Sequence, residues 1–307
     1  MKRYLLTIFL FFFLVESYAQ QDPLYSQYMF NLFAINPAYA GSRDAVSATV
    51  NYRHQWVGFD GAPTTQTVTV HAPLKGKNMG VGLQVINDVI GPKNVSGAML
   101  SYAYRIKLGK GKLSFGLRGG LLNYSFDFNK IEYKDLEDQI LTNGSETFMV
   151  PTFDFGTFYY TKTFYAGAQI SHLNEARYPI LESPVNRDLE ARLYSHVSVT
   201  VGKAFEVHPE IVLKPSIFLN GADNGMGYID INMSALFSET FWVGASFRTG
   251  FGVIGLVEMD VNDKLRIGYS YGYATNPLRV AQSGAHEIFI GYDFNLLQKR
   301  VASPRYF

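Results

Sequence analysis

The sequence predicts an all-β protein, a transmembrane antiparallel β-barrel of about 14 strands with a short N-terminal helical or plug-like segment. Three observations carry this. Behind residue 44 the apolar residues recur with period two, the pattern of a strand whose two faces meet different surroundings. The opposite face is mostly Gly, Ser, Asn and Thr, where a water-soluble sandwich would carry Lys and Glu; small polar residues suit the inside of a barrel in lipid. Charged residues make up only 17% of the 307, and aromatics 15%. Soluble domains carry roughly a quarter charged residues, and here the aromatics fall at strand ends, where a lipid–water interface places them.

In chain order, residues 1–19 read as a cleaved signal peptide. Lys2 and Arg3 supply the positive start, Leu5 to Val15 the apolar run, and Ser17-Tyr18-Ala19 has small residues at the positions a signal peptidase reads. The run is shorter than the roughly 20 apolar residues of a spanning helix. Residues 20–43 form an N-terminal periplasmic or plug segment. In it Tyr25, Met29 and Phe33 fall at i, i+4, i+8 beside Leu24, Tyr28 and Leu32, which predicts one apolar helical stripe. Pro37 and Gly41 stop it. The segment packs at the periplasmic end or folds into the lumen; it serves either as a stabilising plug or as a docking surface.

Residues 44–295 read as the barrel, with strands near 44–54, 64–72, 78–87, 94–107, 112–126, 148–161, 163–172, 191–203, 209–220, 227–238, 240–250, 252–261, 264–274 and 285–295. Along 241–248, Phe241, Val243, Ala245 and Phe247 oppose Trp242, Gly244, Ser246 and Arg248. The alternation makes Ile231, Met233, Val243, Phe247, Ile267 and Ile290 lipid-facing. An Arg at lumen-facing Gly244 is expected to cost less than one at Val243 if the lumen has space. Trp242, Phe289 and Arg248 crowd that lumen and argue against a wide pore. Tight connections such as residues 109–111 and 161–163 alternate with long polar ones at 129–147 and 173–190, which puts the long loops outside and both chain ends in the periplasm. The short 250 region breaks that alternation. Residues 296–307 form a periplasmic tail.

Little catalytic chemistry is written here. There are no cysteines, so disulfides, thiolate metal sites and catalytic thiols are excluded, and the net charge of +1 gives nucleic acid no electrostatic handle. Gly250-Phe251-Gly252-Val253-Ile254-Gly255 matches GxGxxG, but residues 256–261 alternate like a strand and lack the helix a dinucleotide needs. The six histidines show no zinc-ligand spacing, and Ser195-His196 are neighbours on opposite faces. The reading is therefore no enzyme, no cofactor and no metal.

The block “QDPLYSQYMFNLFAINPAYAGS” (21–42) is similar to the N-terminal signature of the PorP/SprF family of the Bacteroidetes type IX secretion and gliding systems. “YRHQWVGFDGAPTTQTVTVHAPL” (52–74) resembles its next block, “RIGYSYGY” (266–273) and “GAHEIFIGYDF” (284–294) its last strands, and “SPRYF” (303–307) its end. The resemblance implies a non-enzymatic outer-membrane barrel that is a component or accessory of type IX secretion, supporting export and surface attachment of a large secreted adhesin. Its implied partners are that adhesin, periplasmic and outer-membrane secretion components, and outer-membrane lipid. The candidate partner-binding residues are Tyr25, Gln27, Tyr28, Asn36, Pro37, Tyr39 and Gly41 in the first block, Arg53, Gln55 and Trp56 in the second, and Arg305, Tyr306 and Phe307 in the tail. Trp56 also fits an interface anchor. The alternative is a passive or substrate-specific channel for small or hydrophobic solutes, since a barrel of about 14 strands encloses a lumen.

Overall fold

The computed structural model describes residues 22–294 except 44, 77, 132–143, 180–189, 224 and 226. The tail and the signal-peptide segment lie outside the described residues. The strands are β1 Val46–His54, β2 Thr64–Pro73, β3 Met79–Ile90, β4 Lys93–Leu108, β5 Gly111–Asp127, β6 Ser145–Tyr160 and β7 Phe164–Ser171. They continue with β8 His196–Lys203, β9 Ile211–Ala222, β10 Gly227–Phe237, β11 Phe241–Arg248, β12 Gly252–Asp260, β13 Leu265–Ala274 and β14 Ala285–Phe294. Each pairs antiparallel with its sequence neighbours, and β1 pairs with β14 from Val46↔Phe294 to His54↔His286. The ring is closed at β8–β9, His196↔Ala222 through Gly202↔Ser216. Fourteen strands with no open edge satisfy the wall's backbone groups internally, the condition for spanning lipid.

The predicted faces hold. Ile231, Met233, Val243, Phe247, Ile267 and Ile290 all point outward, 40–53% exposed. Their neighbours Asp230, Asn232, Trp242, Arg248, Arg266 and Phe289 point inward and are buried. Some boundaries move. The strand expected at 191–203 begins at His196, because Glu190–Arg192 turns aside to pair with Arg177–Pro179 in a separate hairpin. A short stretch, Phe205–His208, extends the sheet beside β9. β3 and β4 run further than expected and meet in a tight turn at 91–92.

The two rims differ. At one, the turn end, β1 starts, β14 finishes and the connections at 109–110, 161–163 and 238–240 are tight. At the other, the loop end, lie connections 55–63, 128–144, 172–195 and 275–284; the links at 91–92 and 249–251 are short there, the second as the sequence indicated. β4 to β6 are 16 or 17 residues long while β7, β8 and β11 have eight, so the wall stands taller on one side. Inward Leu122, Tyr124 and Val150 on that side are covered by Tyr178 and Leu193 from connection 172–195; the Tyr124 and Tyr178 rings stack at 4.5 Å.

The N-terminal segment fills the lumen and corrects the helix expectation. It is three separate single turns, Tyr28–Phe30, Leu32–Ile35 and Pro37–Tyr39. Asn31 (φ −137°, ψ 67°) and Asn36 (φ −152°, ψ 115°) break the path between them. An amphipathic helix needs a wet face. Here Tyr28, Met29, Leu32 and Phe33 are at most 1% exposed, so the segment is enclosed on all sides. It also runs the length of the lumen. Gly41 packs on Ala72 and Gly80 at the turn end, whereas Asp22 lies beside His172 and His196 at the loop end. Val46 and Phe294 share the turn end, as the even strand count requires, but the first described residue does not join them.

The plug packs on bare backbone. At Gly116 a Cβ would fall on the backbone of Ala38, and at Gly82 on the ring of Phe33. The space that an Arg at Gly244 would need is also missing, since even a Cβ there meets Ser234 Oγ and, at 2.9 Å, Leu256.

Candidate functional site: the plugged lumen

The wall reads the plug's backbone. The Glu287 carboxylate accepts from the backbone N–H of Ser26 at 2.7 Å and of Gln27 at 3.0 Å, and the Gln27 side chain donates to the Glu287 carbonyl at 3.1 Å. A charged acceptor on N–H groups with no intra-turn partner is a strong, short bond. Arg53 sits across from Glu287 at 3.0 Å, donates to Ser26 Oγ, and donates to Gln55 Oε1 at 3.1 Å. Arg248 donates to the carbonyl of Tyr25 at 2.7 Å while paired with Asp230 at 2.9 Å. Arg118 donates to the carbonyls of Phe33 and Ala34 at 2.5 and 3.3 Å. Arg105 donates to the carbonyl of Ala40 at 2.6 Å.

Side chains of the plug answer in kind. Tyr25 Oη lies 2.9 Å from Thr67 Oγ1, Asn31 donates to Thr69 Oγ1 at 3.2 Å, and Asn36 donates to the carbonyls of Thr157 and Ala168 at 3.0 and 3.2 Å. Asn36 also accepts from Ala38 N–H at 2.9 Å, holding the turn that Pro37 opens. Gly41 N–H donates to His71 Nδ1 at 3.1 Å. Apolar packing completes the seat: Tyr28 lies 4.9 Å from Phe218, Tyr39 meets Phe158 edge-on, and Phe30 lies between Trp242 and Phe289. The Lys214 ammonium rests 4.3 Å from the Trp242 ring and 5.0 Å from Phe30, a desolvated cation–π contact.

At the loop end the plug's start is held by an ionic relay. His172 Nδ1 lies 2.8 Å from Thr152 Oγ1, and its Nε2 lies 2.9 Å from Asp22. Burial works against both charges, but the attraction between them prevails. Asp22, also near His196, is held well below the usual carboxylate range, and His172 is pushed up to about 9. Hydroxyl, imidazole and carboxylate stand in the order of a nucleophile triad. Thr152 is only 1% exposed, however, so its hydroxyl has no open approach and the relay holds Asp22 in place. The Ser195 hydroxyl donates to the carbonyl of His172 at 3.1 Å, and Gly252 opens strand β12 rather than a helix.

The structure thus brings together Tyr25, Gln27, Arg53 and Gln55 near Glu287, with Tyr28 against Phe218 and Asn36, Pro37, Tyr39 and Gly41 further down the lumen. Arg53 is buried against Ser26 of the plug, and Gln55, buried at the start of connection 55–63, accepts from Arg53. Trp56 stands apart in connection 55–63, its ring edge-on to Phe59. Arg305, Tyr306 and Phe307 lie outside the described residues. The sequence reading missed Glu287, Arg105, Arg118 and His71; the available signal was an isolated charge or imidazole on a strand face otherwise made of small polar residues.

A closed barrel of fourteen strands with an apolar outer belt is an outer-membrane β-barrel. This chain belongs to the PorP/SprF family: the family described as type IX secretion system membrane protein PorP/SprF matches residues 17–292. Among solved structures it is similar to the toluene transporter TbuX of Ralstonia pickettii, with TM-score 0.51 and 9% identity over 86% of this chain and 93% of that one. It is likewise similar to the toluene transporter TodX of Pseudomonas putida, with TM-score 0.50 and 10% identity over 90% and 95% of the two chains. At such identity the likeness is one of fold. No curated protein sequence matches the chain.

Proposed function

We propose that this protein is a non-enzymatic, plugged outer-membrane scaffold of type IX secretion that supports export and surface attachment of a large secreted adhesin. The observation that carries this is the lumen, occupied along its length by residues 22–41 through buried charged hydrogen bonds. A barrel filled by its own chain offers its rims and loops to partners rather than a conduit to solutes. In this reading the turn end faces the periplasm and the secretion components, the loop end faces outward, and residues 1–19 are removed on export. Trp56 anchors the outer interface, and the tail with Arg305, Tyr306 and Phe307 touches the periplasmic apparatus. The buried first-block residues hold the plug rather than dock a partner.

Deleting the gene and comparing the surface proteome tests it: loss of a large adhesin from the surface, restored by the intact chain, is expected. Unchanged display, together with a steady open conductance of the purified protein in planar bilayers, would favour a solute channel instead.

A further inference from the structure

Beside the plug, toward the loop end, the lumen keeps a cavity of about 120 Å³. Its walls are unlike. One side is Ile86 from β3 with Val95, Met99 and Leu122 from the tall wall; the other carries Asp22, His172, Ser198 and Asn220. Asp22, at the loop end, is about a third exposed.

The polar side is selective in what it can still bond. His172 has both ring nitrogens engaged, by Thr152 and Asp22. Asn220 Nδ2 donates to Ser198 Oγ at 2.8 Å. That bond leaves the Asn220 side-chain carbonyl as an acceptor and the Ser198 hydroxyl hydrogen as a donor. The charges are already matched. Asp22 faces His172, Asp154 lies 3.7 Å from Arg118, and Asp88 is balanced by Lys93. A charged guest would bring an ion with no counter-ion into a desolvated site, which is costly.

We infer that this cavity is a binding site for a small neutral amphipathic molecule with an aromatic-sized apolar body and one hydroxyl, the body lying on Met99 and Leu122 and the hydroxyl between Ser198 and Asn220. The volume is of the same order as the roughly 150 Å³ of an engineered cavity that accepts benzene, so one ring is the largest body that fits. The site is independent of the secretion role and survives its failure.

Phenol is the probe. It is titrated into the purified full-length protein in detergent micelles and followed by saturation-transfer NMR, with folding checked by the shifted gel mobility of unheated samples. Saturable binding is expected, abolished by Leu122→Trp or by Met99→Trp, either of which fills the cavity. The double change Ser198→Ala, Asn220→Leu is expected to weaken binding roughly three- to tenfold, the worth of one or two hydrogen bonds. Benzoate and anilinium-type cations should not compete. A signal that rises without saturation and is unchanged in both filling variants, meaning partition into the micelle, would overturn the proposal. So would no phenol signal at all, meaning a cavity for water only, or charged analogues binding as well as phenol. If one filling variant fails to fold, the other and the polar double variant still decide.

Discussion

Along β11, Val243 and Phe247 face outward and are 41% and 50% exposed, while their chain neighbours Trp242 and Arg248 face the lumen at 3% and 1%. The two faces of this one strand obey different rules. Outside, any apolar side chain suits lipid, and no particular partner is required. Inside, each residue has a named counterpart: Arg248 holds Asp230 and the Tyr25 carbonyl, and Trp242 receives Lys214 and Phe30. A generic exterior and a specific interior should fail differently when changed.

The largest expected effect is inside. Arg53→Met leaves Glu287 buried with no cation, and breaking a buried pair from one side costs about 3–5 kcal/mol. Denaturant unfolding from micelles should show that loss, along with release of residues 25–27 to protease. Outside, Val243→Arg should cost about 2–4 kcal/mol near mid-membrane, measured by folding into vesicles, without loosening the plug. If Val243→Arg freed the plug while Arg53→Met did not, the contrast between the faces would collapse. Gly116→Val sharpens the contrast, because it adds only apolar bulk, yet on the lumen side. Its Cβ lands on Ala38, and overpacking of this kind costs about 1–3 kcal/mol. Thermal unfolding should fall, and bilayer conductance should appear as the plug unseats.

The smallest effect is electrostatic, because Asp22 is partly solvated and its pair is screened. The pKa of His172 is raised in the folded protein, to about 9 from an ordinary 6.5. With Asp22 ionised, the charged imidazole's contribution is therefore fully present below about pH 6.5 and lost as pH rises through about 9. Stability relative to His172→Gln should decline from pH 6 to pH 9.5. A constant difference over that range would show that the imidazole is not charged by Asp22.

The same contrast governs how much was legible. The strand number, the lipid face and the tight turns could be read because period two and turn chemistry are local signals. The inward charges could be placed on the lumen face but not assigned partners, since Glu287 meets Ser26 across 261 positions of sequence. The plug's apolar spacing suggested a stripe with one wet side, because nothing local says that a segment will be enclosed all round. Residues 191 and 192 of the hairpin between Arg177–Pro179 and Glu190–Arg192 were absorbed into a barrel strand, and its other arm into a polar loop, for the same reason: residues that leave the wall look locally like the wall's continuation.

The central claim is that the folded barrel holds its N-terminal segment in the lumen. The chain has no cysteine, so a pair can be introduced cleanly. Asn31 Nδ2 and Thr69 Oγ1 lie 3.2 Å apart across the plug–wall contact. In the double variant Asn31→Cys, Thr69→Cys, a short bifunctional thiol reagent applied to the folded protein in outer membranes should join the two sites, read as one cross-linked peptide after digestion. Cross-linking of the heat-unfolded sample should be far weaker. A correctly folded barrel in which the two cysteines react separately and never join would contradict the plugged lumen.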